Sequence, residues 1–222
     1  METQKVYEKL LVKLDGVGTN NIAVDRQRAV LMINESQNKW VEHILSPVKR
    51  DENIRYVQKL LTDKTIIVGP RVSELYDKLP FPDNYFEFSS VIGFASKDNC
   101  ENVKINLFEI KDQDKDQILQ DEFNKPSFLY REAPFVVSDD SLKIYTLSEF
   151  KLNKIVLNYY RYPVQIRQVD EEDPESPFNE NYQIEFDDKI VDRIISNAVA
   201  ELQANVKDEA YQLNKQRTIQ KL

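Results

Sequence analysis

The sequence predicts an α+β protein in which helices from both ends of the chain pack together around an inserted β-rich lobe. Apolar residues recur at helical spacing in residues 2–45 and again from Asp187 onward. Between them, residues 65–162 carry short runs of β-branched and aromatic residues, separated by Pro, Asp and Ser. Helical periodicity at both ends of the chain, with strand periodicity between them, predicts a sheet inserted between helices that pack together. An extended C-terminal tail completes the predicted architecture.

The clearest helix begins at Asp187. Apolar residues every four positions make a stripe, and a second row beside it makes the stripe broad enough to face a core: Ile190, Ile194, Ala198 and Leu202, with Val191, Ile195 and Val199. Asp187 and Asp188 lie where acidic side chains favour a helix N-terminus, and either is a candidate cap. About 20 residues give a rod of roughly 30 Å.

After Asn205 the apolar pattern thins, and the segment becomes weakly basic near its end. A poorly patterned segment after an anchored helix predicts a tail that is disordered alone and ordered on a partner. The residues expected to contact the partner are Lys207, Tyr211, Leu213, Lys215, Arg217, Ile219 and Lys221.

Two helices are predicted near the N-terminus, over residues 2–15 and 25–45, with a third short one over 51–61. Trp40, the only tryptophan, lies on the apolar stripe of the second helix and is predicted to anchor the core. Ile190, Ile194 and Leu202 are the corresponding anchors of the C-terminal helix.

The middle of the chain reads as strands, of which the clearest is KIVLNYYRY before Pro163. A single helical turn is predicted over residues 118–123. The predicted strands are 65–69, 85–95, 103–110, 128–130, 135–137, 142–146 and 154–162.

The resulting organisation has four parts. Residues 1–62 form an N-terminal helical part, residues 63–169 the β-rich lobe, and residues 187–222 the helix and tail that pack back on the N-terminal helices. Residues 170–186 are predicted to be an acidic linker. Its first part, residues 170–180, is expected to be exposed, because the run DEEDPESPFNE has six acidic and no basic side chains and two prolines.

Composition excludes several classes of protein. The net charge of −8 disfavours tight binding to nucleic acid or to an anionic membrane. With one cysteine and one histidine, the 222-residue chain forms no internal disulfide and no multi-histidine metal site. We find neither a signal-peptide core nor an uncharged apolar run of about 18 residues, so no membrane association is expected.

The sequence contains no catalytic motif, so we expect no enzyme activity and no cofactor. Asp112, Asp114 and Asp116 alternate as in a calcium loop, but Gln117 and Phe123 stand where that loop needs Gly and Glu. No metal site is therefore predicted.

An N-terminal helix pair is followed by the segment LPFPDNYFEFSSV, the strand VLNYYRYPVQI, an acidic spacer, and a helix opening with FDDKIVDRIISNAVAEL. This order of features resembles that of the neck proteins of tailed bacteriophages, which are head–tail adaptor or connector subunits. The chain looks most like the ring proteins of short-tailed, crAss-like phages, although its β-rich middle is longer than that of minimal adaptors.

The resemblance implies a virion structural protein of the neck or tail, assembled in the host cytoplasm. Its expected partners are further copies of itself in a dodecameric ring, the portal protein, other tail or ring proteins, and DNA that passes without tight binding. Asp170, Glu171, Glu172 and Asp173 are candidate lumen-facing acids, because negative charge repels phosphate; simple solubility is the alternative role.

Three other functions remain open at this point. The chain also fits a tail-hub or cargo component of a virion. A glycan-cleaving tail enzyme with unrecognised paired carboxylates is a second alternative, and a cellular adaptor domain with a helical docking tail is a third.

Overall fold

The computed structural model describes residues 3–16, 26–46, 54–70, 73–166 and 184–219, the last of these with side chains as far as Ala204. The chain forms two compact units. A helical unit combines Met1–Lys59 with Pro163–Leu222, and a sheet unit comprises Leu60–Tyr162. The fold is α+β, with helices in the N- and C-terminal parts and the sheet between them, as the sequence predicts.

The described helices are α1 (Thr3–Gly16), α2 (Arg26–Leu45), the short α3 (Lys115–Gln120) and α4 (Asp188–Ile219), with 3-10 turns at Ile54–Tyr56, Gln58–Leu60 and Asp112–Asp114. The strands are β1 (Leu61–Ile67), β2 (Tyr76–Pro80), β3 (Tyr85–Lys97), β4 (Cys100–Glu109), β5 (Glu132–Ser138), β6 (Ser141–Tyr145) and β7 (Lys151–Arg161).

The helical unit buries one apolar stripe from each of α1, α2 and α4, and both N-terminal helices pack on α4. The α1 stripe consists of Val6, Leu10 and Leu14, spaced as the helical repeat requires. The α4 stripe is broader because two adjacent rows of the helix are buried. Each fully buried aliphatic side chain contributes about 1.5–3 kcal/mol, so packing rather than helix propensity stabilises this unit.

Helix α4 is 32 residues long, whereas the apolar pattern predicts about 20. Its backbone continues as helix through Ile219, although the apolar stripe thins after Asn205. The continuation is rich in Lys, Glu, Ala, Gln and Leu, which have high helix propensity whether or not they face a core. The predicted third helix over 51–61 is wrong: two 3-10 turns occupy residues 54–60, and Leu61 already belongs to β1.

The sheet unit contains one seven-stranded sheet with the order β1-β7-β3-β4-β5-β6-β2. All neighbouring strands pair antiparallel except β4 and β5, which are parallel. A parallel pair needs a crossover, and the segment with α3 provides it. Two tight hairpins join β3 to β4 and β5 to β6; in the first, Asp98 takes a φ of 52°.

The sheet curls around its own core. Fourteen buried residues contributed by β2–β7 and the loop before β7 form a single cluster, including Val91, Ile105, Phe135 and Ile155. A sheet with one apolar face must bury that face against another layer or against itself. Partly buried side chains of the loops, among them Phe81 and Phe128, also pack against this cluster.

Two features of the sheet differ from the predictions. Residues 128–130 form a turn rather than a strand, beside an isolated bridge between Ser127 and Glu132. Strand β2 was missed because Pro80 interrupts its sequence pattern. An edge strand tolerates proline, since its outward N–H has no partner to lose.

Candidate interaction surfaces

Residues 164–166, with which the chain re-enters the helical unit after the sheet, are bound by polar side chains of α2. We call them the returning segment. The buried Asn34 donates its Nδ2 to the Ile166 carbonyl (2.9 Å) and accepts the Ile166 N–H at Oδ1 (2.8 Å). Gln37 donates to the Val164 carbonyl (3.1 Å). These bonds satisfy the backbone of an extended segment that belongs to no sheet, as buried polar groups require. The apolar periodicity of α2 gave no indication of this role for Asn34.

Three lysines of the segment Met1–Lys59 form ion pairs with carboxylates at the start of α4 and along it. Lys9 pairs with Asp192 (2.9 Å), Lys39 with Glu201 (2.9 Å) and Lys59 with Asp187 (2.8 Å). The hydrogen bond from Lys59 holds the pKa of Asp187 below its usual range. Because these pairs are largely exposed, each adds little stability; their effect is to fix which surfaces of the helices meet.

The four predicted core anchors are all buried. The edge of the Trp40 ring contacts the ring of Phe186 with centroids 5.1 Å apart, and Ile190, Ile194 and Leu202 are at most 7% exposed. Ile184 and Phe186, which end the predicted acidic linker 170–186, are also buried. Both follow the run 170–180 that was predicted to be exposed, and their burial was not predicted from the sequence.

The predicted partner-binding residues lie largely beyond what the structure describes. Lys207, Tyr211, Leu213, Lys215, Arg217 and Ile219 are on the helical backbone of α4, and their side chains are not among those described. Lys221 and the acids at 170–173 lie outside the described residues. Their proposed roles therefore stay predictions.

The structure also describes the acidic run 112–116, the cysteine and the histidine of the chain. Asp112–Asp114 is a 3-10 turn in which Asp112 accepts a hydrogen bond from Lys115 (3.2 Å), and Cys100 and His43 are exposed. Among the described residues, no three His, Cys, Asp or Glu side chains converge as a metal site would require. None of the helices in this part of the chain combines the length and apolar character needed to cross a membrane.

One loop of the sheet unit, residues 121–131, presents three large apolar side chains to solvent. Phe123, Leu129 and Tyr130 are 86%, 80% and 68% exposed. Hydrogen bonds within the loop link its residues. Asp121 accepts from the Phe123 N–H (3.0 Å) and from the Asn124 amide, which lowers the pKa of Asp121.

Among the residues that the structure describes, the two edge strands of the sheet are β1, which pairs with β7, and β2, which pairs with β6. The Val68 N–H bonds to the Asn153 carbonyl (2.9 Å), which continues the β1–β7 ladder by one residue. Because hydrogen-bonded and non-hydrogen-bonded pairs alternate in antiparallel ladders, the intervening residues turn their backbone N–H and C=O groups away from β7. These outward residues are Leu61, Asp63, Thr65 and Ile67.

The same reasoning applies to β2. The Thr146 N–H bonds to the Leu75 carbonyl and the Phe81 N–H to the Asp140 carbonyl, both at 3.1 Å. By alternation, Tyr76, Lys78 and Pro80 turn their backbone groups away from β6, and Pro80 offers only a carbonyl. Each edge therefore carries a short ladder of outward polar groups. Burial alternates along β2 so that Asp77 and Leu79 face the core.

Neither a protein-family model nor a curated protein matches this chain.

Proposed function

We propose that the chain is a non-enzymatic virion structural protein of a tailed bacteriophage, a subunit of a ring that joins the portal to the tail around the DNA channel. Each subunit binds further copies of itself, the portal and other neck or tail proteins. DNA passes without tight binding, and no cofactor takes part.

The observation that carries this proposal is the length of α4 relative to its packing partners. At about 1.5 Å per residue, the 32-residue α4 is roughly 48 Å long, whereas the 20-residue α2 and the 14-residue α1 reach only about 30 Å and 21 Å. Among the side chains of α4 that the structure describes, which reach Ala204, the last in the core is that of Leu202. Because α4 is longer than α1 and α2, we infer that its C-terminal part contacts another protein of the assembly.

The decisive experiment measures the mass of the purified chain, alone and mixed with the portal protein encoded by the same genome. We expect a small species that grows into a ring on the portal. A truncated chain lacking residues 207–222 should remain folded, because it keeps every core side chain of α4 that the structure describes, from Ile190 to Leu202, but it should not assemble on the portal. A chain whose mass is indifferent to the portal, or a truncated chain that assembles normally, would contradict the proposal.

The acidic run at 170–173 gives a second, independent test in virions. Reversing the charges of Asp170, Glu171, Glu172 and Asp173 should slow DNA ejection if these side chains line the channel, because basic residues would retain phosphate. A matched control reverses four exposed acids of the sheet unit: Glu87, Glu101, Asp114 and Glu122. Equal ejection rates in both variants would assign the acidic run to solubility.

A further inference from the structure

The two edges of the sheet run in opposite directions. Five of the six strand pairings between β1 and β2 are antiparallel and one is parallel. An odd number of reversals makes β2 antiparallel to β1. If a second copy is placed beside the first with its strands in the same orientation, as rotation about an axis along the strands would place it, β1 of one copy meets β2 of the next in an antiparallel arrangement.

The outward backbone groups of the two edges are compatible with such a junction. A hydrogen-bonded antiparallel pair requires that both residues turn their N–H and C=O groups outward. Asp63 opposite Lys78 meets this condition. The same register then places Thr65 opposite Tyr76 and Leu61 opposite Pro80.

The side chains on the outer face are complementary in this register. Asp63 and Lys78 are both exposed and carry opposite charges, and cross-strand pairs of opposite charge stabilise sheets. Tyr76 and Thr65 make an aromatic–β-branched pair, which is also favourable. Lys78 is already paired with Asp140 (3.3 Å), and an ammonium group with three donors serves two carboxylates.

The inner face is complementary as well. Ile66, which packs against the core, comes opposite Leu75, which is 55% exposed in the single chain. Lys64 comes opposite Asp77, a second pair of opposite charge. The junction would therefore continue the apolar inner layer of the sheet from one copy to the next.

Other registers lack this agreement. A shift by two residues in one direction places Asp63 opposite Pro80 and Ile66 opposite Asp77. A shift in the other direction places Asp63 opposite Tyr76 and Thr65 opposite Glu74. Shifts by one residue bring outward backbone groups opposite inward ones, which breaks the ladder. One register satisfies backbone, charge and apolar faces together.

We propose that copies of this chain associate head to tail by extending the sheet, with β1 of one copy antiparallel to β2 of the next and Asp63 opposite Lys78. Two different edges meet, so the contact is heterologous and generates a ring when the rotation closes. The inference deepens the proposed function and rests on it for the closure of the ring. The junction has only a few backbone bonds, because β2 is short and Pro80 offers only a carbonyl.

Charge reversal with rescue tests the junction. Asp63→Lys and Lys78→Glu, each alone, place like charges opposite each other, and each should weaken self-association by about five- to tenfold. The double variant restores opposite charges and should recover association. Glu101→Lys makes the same charge change as Asp63→Lys on an exposed position of the interior strand β4 and serves as the control. The readout is mass as a function of concentration.

Disulfide trapping tests the register directly. In a Cys100→Ser background, an Ile66→Cys chain mixed with a Leu75→Cys chain should form a covalent dimer under oxidising conditions, because a non-hydrogen-bonded antiparallel pair brings its Cβ atoms to about 4.5 Å, at disulfide range. The same Ile66→Cys chain mixed with a Ser73→Cys chain is displaced by two residues and should give little product. The experiment is run on the purified chains and again with the portal present.

The outcomes separate this inference from the proposed function. Register-specific trapping without any response to the portal would support the sheet junction and contradict the neck role. A ring that forms on the portal while both cysteine pairs fail to cross-link, or cross-link equally, would overturn the junction and leave the neck role intact. Unchanged association in Asp63→Lys and Lys78→Glu would also overturn it.

Discussion

The helical unit and the sheet unit close their cores in different ways. The helical unit is assembled from two pieces that are far apart in the chain, and side-chain bonds join residues 183 positions apart, as between Lys9 and Asp192. The sheet unit is one continuous segment with two tight hairpins. The first unit therefore carries a large loop-closure cost that the second does not.

The topology of the sheet explains how that cost is met. The strands that bring the chain into and out of the sheet unit, β1 and β7, are paired neighbours, with Leu61 opposite Tyr160. Once the sheet has formed, the two pieces of the helical unit leave it from adjacent strand ends. We expect the sheet unit to be stable without the helical unit, and the helical unit to depend on the sheet. Trp40, the only tryptophan, reports on the helical unit alone.

Ile194→Ala should have the largest effect and should leave the sheet intact. Ile194 is completely buried in the helical core, so truncation should lower the free energy of unfolding by about 2–5 kcal/mol. Denaturant titration followed by Trp40 fluorescence measures this loss, while hydrogen exchange in Leu60–Tyr162 should be unchanged. Val12→Ala, at a position 71% exposed on α1, is the control. Loss of protection in the sheet would disprove the one-way dependence.

Asn34→Ala should have the next largest effect, because it removes both hydrogen bonds to the backbone of Ile166. Leaving these buried groups unpaired costs about 1–3 kcal/mol, and the Trp40 unfolding midpoint should fall accordingly. Asn158→Ala removes an exposed amide bond to Ser90 (2.9 Å) and should change stability by no more than about 0.5 kcal/mol. Similar effects of the two substitutions would mean that the hydrogen bonds between Asn34 and Ile166 contribute little to the stability of the helical unit.

Gly93→Val tests whether destabilising the sheet unit also destabilises the helical unit. A Cβ at Gly93 would lie 3.1 Å from Leu152 Cδ1 and 3.4 Å from Leu107 Cδ1, so a branched side chain overpacks the curled sheet at a cost of about 1–3 kcal/mol. Although the change lies in the sheet, we expect the Trp40 unfolding midpoint to fall as well. Gly69→Val, where a Cβ meets nothing within 4 Å, is the control. A sheet destabilised with no change at Trp40 would show that the two units fold independently.

Periodicity predicted the elements with one strongly apolar face. The stripes of α1, α2 and α4 and the alternation in β3, β4 and β7 depend only on the spacing of residues along the chain. Elements without such a stripe were missed or misplaced. Strand β2 is short and contains Pro80, and residues 128–130 are apolar but turn back on themselves, so their spacing carried no usable signal.

The sequence by itself determined the fold class, the anchors Trp40, Ile194 and Leu202, and the insertion of a sheet between helices, because each follows from local apolar spacing. The tertiary structure alone decided that Asn34 binds the backbone of Ile166, that Phe186 belongs to the core, and that Asp63 and Lys78 lie on the two edge strands of the described sheet. Each of these depends on which strands and helices become neighbours. That choice is made by contacts between residues far apart in the chain, which local spacing does not encode.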